Sequence, residues 1–192
     1  MYRAVTLKVL RRGIDVENGK AIVQMVEGTH IELRNPGGQL TVLLDGAEVS
    51  AEIRSEAVTE AVSAVSRLRG VRAAMVREQR RAAEYSDIVA EGRDIGTVVF
   101  PDADLKFFMV AGIEARARRR QAELAAQGIE TDLKGLVAAI RQRDLTDSTR
   151  SESPLRKAAD AIEIDTSDLT IEQQVAVIVT TVKERLERIR GR

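Results

Sequence analysis

The sequence predicts an α/β fold, with a parallel sheet flanked by helices and a small antiparallel sheet inserted near the start. Three observations predict it. From Ile88 onward, apolar strand-like runs alternate with helical periods, the order that builds a parallel sheet with helices on its faces. Residues 31–33 and 40–44 are apolar runs on either side of Asn35-Pro36-Gly37-Gly38, a hairpin signal. Hydrophobic residues make up 44% of the 192, enough to bury a core.

The elements follow in order. Ala4, Val5, Leu7, Val9 and Leu10 make a short apolar helix that begins at the first residue and closes at Gly13. Residues 20–26 read as a second short helix. After the hairpin, Asp45-Gly46 is another turn, and Val49 falls on a third short strand. Helical spacing resumes from Ile53, with Val58, Val62 and Val65 recurring on one face. Gly70 breaks that run, and a further helix covers 71–84. Ile88-Val89-Ala90 is a short apolar strand that leads into the polar loop 91–96. Residues 105–110 are apolar except for Lys106, the pattern of a strand buried on both faces. Helices are expected at 113–127 and 133–146. A strand at 161–164 ends in Asp165-Thr166-Ser167. The last helix spans 171–190, with Val175, Ile178, Val179 and Val182 on its inner face. Ligands of such sheets bind beyond the carboxyl ends of the strands, where Arg93-Asp94 and Asp165-Thr166 fall.

Composition narrows the function. Thirty Lys and Arg balance thirty Asp and Glu, which argues against a general nucleic-acid or membrane-surface binder. A local arginine pocket for a phosphate needs no net charge. There is no cysteine, so disulfides and thiolate metal sites are excluded. No apolar run approaches the length of a membrane span, and the first residues lack a signal-peptide pattern, so a cytoplasmic location is expected. His30, the single histidine, reads as an ordinary strand residue.

Three stretches carry the chemistry. Glu91-Gly92-Arg93-Asp94-Ile95-Gly96-Thr97-Val98-Val99-Phe100-Pro101 presents an arginine and a carboxylate between glycines that allow close approach of a ligand. An Arg–Asp ion pair in a tight turn accounts for the same residues equally well. Arg143-Asp144-Leu145-Thr146-Asp147-Ser148-Thr149-Arg150 sets Arg143, Asp147 and Arg150 on one face of a continuing helix. Two guanidinium groups beside a carboxylate suit a phosphate and a ribose, whereas a solvated helix end is the ordinary reading of such charges. Arg116 shares a helix face with Arg119 and Arg120. A lid over ATP needs charges of that kind, and a solvated basic face explains each of them singly as well.

Together these stretches resemble the bacterial-type cytidylate kinases along the whole chain. The run from Gly92 to Ala103 and the Arg143-Asp144…Asp147…Arg150 run carry most of the likeness. Tyr2-Arg3 is similar to the end of that family's Thr-Gly-Ala-Met-Tyr-Arg segment, and the small sheet at 28–50 resembles its insertion. The resemblance implies a three-layer P-loop nucleoside monophosphate kinase fold, acting in pyrimidine nucleotide metabolism on CMP or dCMP with ATP and Mg²⁺. It implies that Arg3, Arg93 and Arg150 hold the CMP phosphate, and that Arg143 and Asp147 contact the sugar with Tyr2 nearby. Ser63, Arg72 and Asp94 would read the cytosine, whose amino group a carboxylate accepts and whose O2 and N3 need donors. Ser63 and Arg72 would otherwise pass as ordinary helix residues. Arg119 and Arg120 would belong to a lid within 113–147, with Arg93 and Arg150 beside them as catalytic arginines. Asp165 and Thr166 would lie near the ATP adenosine, although a helix cap explains them equally.

The resemblance fails at one point. No G-x-x-x-x-G-K-[ST] phosphate loop occurs in the sequence. The expectation is therefore a single kinase domain, 1–192, truncated by its amino-terminal strand–loop–helix, about 30 residues, and impaired in catalysis. Such a chain is expected to leave the apolar face of Ala4, Val5 and Leu7 and a sheet edge uncovered, and to be poorly stable alone. The alternative is a non-catalytic nucleotide-binding or interaction remnant. A kinase for UMP or AMP fits the Ser63, Arg72 and Asp94 set less well. Small-molecule nucleotides are the expected partners, with no nucleic acid, no membrane and a monomeric state.

Overall fold

The first helix, α1 (Tyr2–Arg11), buries every residue from Ala4 through Val9. A helix of a small domain ordinarily hides one stripe; this one lies inside its core. The computed structural model describes residues 1–84, 87–149 and 153–190, in two compact units, Met1–Val89 and Ala90–Arg192. In the first unit α1 ends as the sequence signals. Gly13 takes φ +61°, its N–H donates to the Leu10 carbonyl at 3.0 Å, and the Ile14 N–H donates to the Val9 carbonyl at 3.1 Å. That pair of bonds is a Schellman stop.

Helix α2 (Gly19–Glu27) starts at Asn18, whose side chain accepts from the Ala21 N–H at 3.1 Å. Strands β1 (Ile31–Arg34), β2 (Thr41–Leu44) and β3 (Ala47–Glu48) form an antiparallel sheet, with Ile31 opposite Leu44 and Leu44 opposite Ala47. Asp45 and Gly46 turn β2 into β3 with φ values of +50° and +86°, the left-handed pair that a two-residue hairpin requires. Val49 lies just past β3 and is buried.

Helices α3 (Glu56–Arg67) and α4 (Arg69–Ala82) complete the unit. Ala4, Val5, Leu7 and Val9 share one core with Ile22, Val42, Leu44, Val58, Val65 and Met75. The expected uncovered face on Ala4, Val5 and Leu7 is thus corrected: helices α2 and α3 and the turn at Glu52–Arg54 pack on α1.

The α3–α4 break also differs from expectation. Leu68, extended at ψ 120°, separates the helices, while Gly70 sits inside α4. Gly70 is there because α2 passes close: a Cβ on it would come within 2.6 Å of Val23 Cγ1.

In the second unit, β4 (Phe107–Val110) and β5 (Ile162–Asp165) pair in parallel, with Met109 opposite Ile164. Helices α5 (Ile113–Ala125) and α6 (Leu133–Thr149) connect them, and α7 (Ile171–Arg190) follows. This is the strand–helix–helix–strand–helix order expected, with three corrections. Residues 88–90 form no strand: Val89 is fully exposed, and among the described residues no strand lies alongside to make a ladder. Strand β4 begins at Phe107 and is not covered on both faces. With β5 as its one described neighbour, Met109 is 49% exposed. A sheet of two strands is also too narrow to cover α7, so Ile178 and Val182 are half-buried while Val175 and Val179 are exposed. Helix α7 starts from a capping box. Thr170 Oγ1 accepts from the Gln173 N–H at 3.3 Å, and Gln173 Oε1 accepts from the Thr170 N–H at 2.9 Å.

The buried charged group in α1 is Lys8, 5% exposed. Its ammonium pairs with Asp45 at 2.6 Å and donates to the Gly28 carbonyl at 3.3 Å. Burial raises the Asp45 carboxyl pKa, but the Lys8 hydrogen bond, the His30 N–H and the Lys8 and Arg12 charges outweigh it, and the net shift is downward. With its folded pKa below the unfolded one, Asp45 contributes stability above the ordinary carboxylate range and loses it as pH falls through the folded value.

Two stability predictions follow from these contacts. Gly70→Ala gains about 1 kcal/mol of helix propensity, but a Cβ against a stiff valine costs about 1–3 kcal/mol, so the melting temperature falls. Asp45→Asn keeps the acceptor for His30 and strands the buried Lys8 ammonium. It costs about 1–3 kcal/mol once the solvent exposure of Asp45 is discounted. Lys8→Met removes the buried charge and costs less than Asp45→Asn in the same denaturant titration.

Candidate active site

In the second unit the chemistry gathers where Arg93 meets α6. Arg93 Nε lies 3.1 Å from Asp147 Oδ2, so the ion pair joins two of the three stretches singled out in the sequence. Asp94 is buried at the head of a π-helical turn, Ile95–Val99. The N–H of Val98 donates to the Asp94 carbonyl at 2.9 Å, and those of Thr97 and Val99 at 3.3 Å. Such turns recur at functional sites. The flanking glycines have packing reasons of their own. A Cβ on Gly92 would lie 2.8 Å from Ile95 Cγ1, and one on Gly96 3.3 Å from Lys106 Cδ.

Asp144 and Asp147 stand three apart on α6 and share a face. Asp144 accepts both terminal nitrogens of Arg116, at 3.0 and 2.7 Å, a fork that only a planar guanidinium makes. Arg116 Nε also donates to the Ala111 carbonyl at 3.1 Å. The Arg116 hydrogen bond holds the Asp144 carboxyl below its ordinary pKa against an opposing effect of burial, and the charges of Arg116, Arg93 and Arg143 add to it. The charges of three guanidinium groups therefore bear on Asp144. Arg143 is exposed on α6. Arg150 lies outside the described residues.

The carboxyl ends of β4 and β5 form a second cluster. Thr166 is 3% exposed, and both its N–H and its hydroxyl donate to the Val110 carbonyl, at 2.8 and 3.0 Å. Arg119 donates to the Thr166 hydroxyl at 3.3 Å, to the Thr166 carbonyl, and to the Ser167 and Leu169 carbonyls at 3.3 and 3.4 Å. Asp165 Oδ1 accepts from the Ser167 N–H and hydroxyl at 2.9 and 2.6 Å, and these bonds lower its pKa. Arg120 pairs with Glu123 at 3.0 Å on the exposed side of α5. Arg116, Arg119 and Arg120, neighbours by spacing, thus reach three different partners. The helix cap weighed for Thr166 is Thr170 instead.

In the first unit, the Arg72 guanidinium sits 5.5 Å over the Tyr2 ring, within cation–π range, and donates to the Ser66 carbonyl at 3.3 Å. Arg72 is 4% exposed. Arg3 donates to the Ile53 carbonyl at 2.7 Å and the Thr59 hydroxyl at 3.1 Å. Ser63 is exposed on α3.

Sequence reasoning missed Asp144 as a partner for Arg116, and it missed Lys8. The three-residue spacing of Asp144 and Asp147 was the available signal for the first. Nothing in the local pattern marks Lys8, because a lysine among apolar residues at the start of a chain reads as exposed. Among the described residues no group of three or more His, Cys, Asp or Glu could hold a metal ion, and no helix is long and apolar enough to cross a membrane.

The comparisons with known proteins agree with one another. The family model described as Cytidylate kinase matches residues 1–184. The chain is 47% identical over 187 residues to the Cytidylate kinase of Geobacillus thermodenitrificans (strain NG80-2), covering 97% of this chain and 83% of that one. It is 48% identical over 187 residues to the Cytidylate kinase of Rhodococcus opacus (strain B4), covering 96% of this chain and 81% of that one. With the family model matching nearly the whole length, the chain belongs to the cytidylate kinase family.

Proposed function

We propose that this chain works in the transfer of the γ-phosphoryl group of ATP to CMP or dCMP, giving CDP or dCDP. The observation that carries the reading at the level of residues is the Arg93–Asp147 pair, 3.1 Å apart, set among the charges of Arg116, Arg143 and Asp144. Phosphoryl transfer is mostly positioning and charge stabilisation. Arg93, with Arg3 and Arg150, receives the CMP phosphate. Asp147 and Arg143 take the ribose hydroxyls, and Tyr2 is a further substrate residue. Asp94 accepts the cytosine amino group, while Ser63 and Arg72 supply donors to O2 and N3. The Tyr2 ring under Arg72 favours a fixed guanidinium there.

ATP is the phosphoryl donor by family. Residues 113–147 form the lid over ATP and its flanking helices, with Arg119 and Arg120 as its catalytic arginines. Asp165 and Thr166 lie on the adenosine side, and the sheet at 28–50 belongs to the CMP-binding part. The donor set of the cluster does not suit a resident cation, because Asp144 and Asp147 are both committed to guanidinium groups. Mg²⁺ therefore comes with the phosphates of ATP, its usual mode. A cytoplasmic, monomeric enzyme fits the same reading.

Titration calorimetry tests the acceptor side directly. Arg93→Ala removes a charge-assisted hydrogen bond worth about 1.5–3 kcal/mol. CMP affinity should fall at least about tenfold, with cytidine changed less than about twofold. Equal losses for both ligands would remove Arg93 from the phosphate site. Asp94→Asn should shrink the preference for CMP over UMP about tenfold, since an amide pairs with either base edge. An unchanged preference would place cytosine recognition elsewhere.

A further inference from the structure

We propose that Arg116 and Asp144 are positioning residues, a latch that fixes α6 so that Asp147 meets Arg93 in the geometry that binds the CMP phosphate. The proposal rests on the reading of Arg93 and Asp147 as CMP ligands. Three observations carry it. Helix α6 buries no residue fully, so apolar packing alone sets its rotation and slide weakly. The Arg116 guanidinium grips α6 through both oxygens of Asp144, at 3.0 and 2.7 Å. The same guanidinium is fixed at its other edge to the Ala111 carbonyl, at 3.1 Å, in the connection that leaves β4. One planar group thus ties the end of a strand, α5 and α6 together.

Asp144 lies one helical step from Asp147 on the same face, and the Arg93 charge acts on it as well. A shift of α6 large enough to break the fork therefore displaces Asp147 from Arg93. The pair's own charges cancel, so its contribution to phosphate binding is geometric. That separates it from the arginines that touch the ligand.

The sign of the effect makes the test sharp. Asp144→Asn removes a negative charge near the bound phosphate, and Coulomb's law alone makes the CMP dianion bind more tightly. Arg116→Lys keeps the charge and loses the fork, so charge alone changes nothing. A latch predicts that both variants bind CMP about three- to tenfold more weakly, with a smaller loss for cytidine, which has the Asp147–ribose contact to lose but no phosphate contact with Arg93.

The experiment is titration calorimetry of CMP and of cytidine with the full chain and each variant, with thermal melts recorded on the same samples. Weaker CMP binding by Asp144→Asn with a clearly smaller loss for cytidine supports the latch. Tighter or unchanged CMP binding by Asp144→Asn overturns it, as does a parallel loss of CMP and cytidine affinity with a lowered melting temperature, which marks a general structural role. Arg93→Ala is run alongside. If it discriminates CMP from cytidine and Asp144→Asn does not, the latch fails while the reading of the site stands. If Arg93→Ala does not discriminate, the fault lies in the reading.

Discussion

A charge taken out of water must find its opposite, and that constraint places the parts of this protein that apolar packing leaves undetermined. Lys8 shows it most plainly. An ammonium in the middle of a buried helix is tolerated because Asp45 comes within 2.6 Å and the Gly28 carbonyl within 3.3 Å. Asp45 reaches that spot only because the two-residue turn after β2 puts it in the left-handed region, where its other oxygen also accepts the His30 N–H at 2.9 Å. The antiparallel sheet, the end of α2 and the centre of α1 are held in register by one ion pair. The apolar cluster around it gains the burial free energy but would accept other alignments.

The second unit uses the same device where its core is thin. Val99, Ala117 and Ile164 are its buried apolar residues among those described, and two strands make its sheet. Ion pairs span the gaps instead. Lys106 closes on Asp160 at 2.7 Å, tying the start of β4 to the approach of β5. Arg116 closes on Asp144, and Arg93 on Asp147. Arg119 spends its guanidinium on backbone carbonyls after β5, a contact that joins α5 to the loop before α7. Polar ties of this kind are specific in geometry and modest in energy when partly exposed.

This division explains what could be read from the sequence. The helices of the first unit, the hairpin at Asn35-Pro36-Gly37-Gly38 and the Asp45-Gly46 turn were legible because periodicity and turn chemistry are local. The Gly92-to-Ala103 and Arg143-to-Arg150 runs were legible because their residue order is distinctive. The strand at 88–90 was misread because apolar composition does not supply the ladder partner a strand needs. The inner face given to Val175 and Val179 failed because periodicity says which residues align and not how wide a surface awaits them. Gly70 was taken as a helix breaker when it is a contact point for Val23, a long-range fact with no local signature. The pairings of Lys8 with Asp45 and of Arg116 with Asp144 join residues 37 and 28 positions apart, so spacing rules that reach one helical turn could not propose them.

The same pairings determine how the candidate site responds to acid. The Arg116 hydrogen bond and the surrounding guanidinium charges keep Asp144 ionised below the ordinary carboxylate range. With the folded pKa below the unfolded one, its contribution to stability is complete above that range and is lost as pH falls through the folded value. A nucleotide phosphate dianion takes up its first proton at pH ~6, well before Asp144 takes up one. On lowering pH a nucleotide phosphate therefore changes charge while Asp144 does not. A change in a phosphate ligand through that interval belongs to the ligand, and loss of the Asp144 contact belongs to a lower one. A helix held by an unpaired carboxylate would mix the two effects; pairing Asp144 with Arg116 keeps the tie between α5 and α6 constant over the range in which a nucleotide phosphate changes charge.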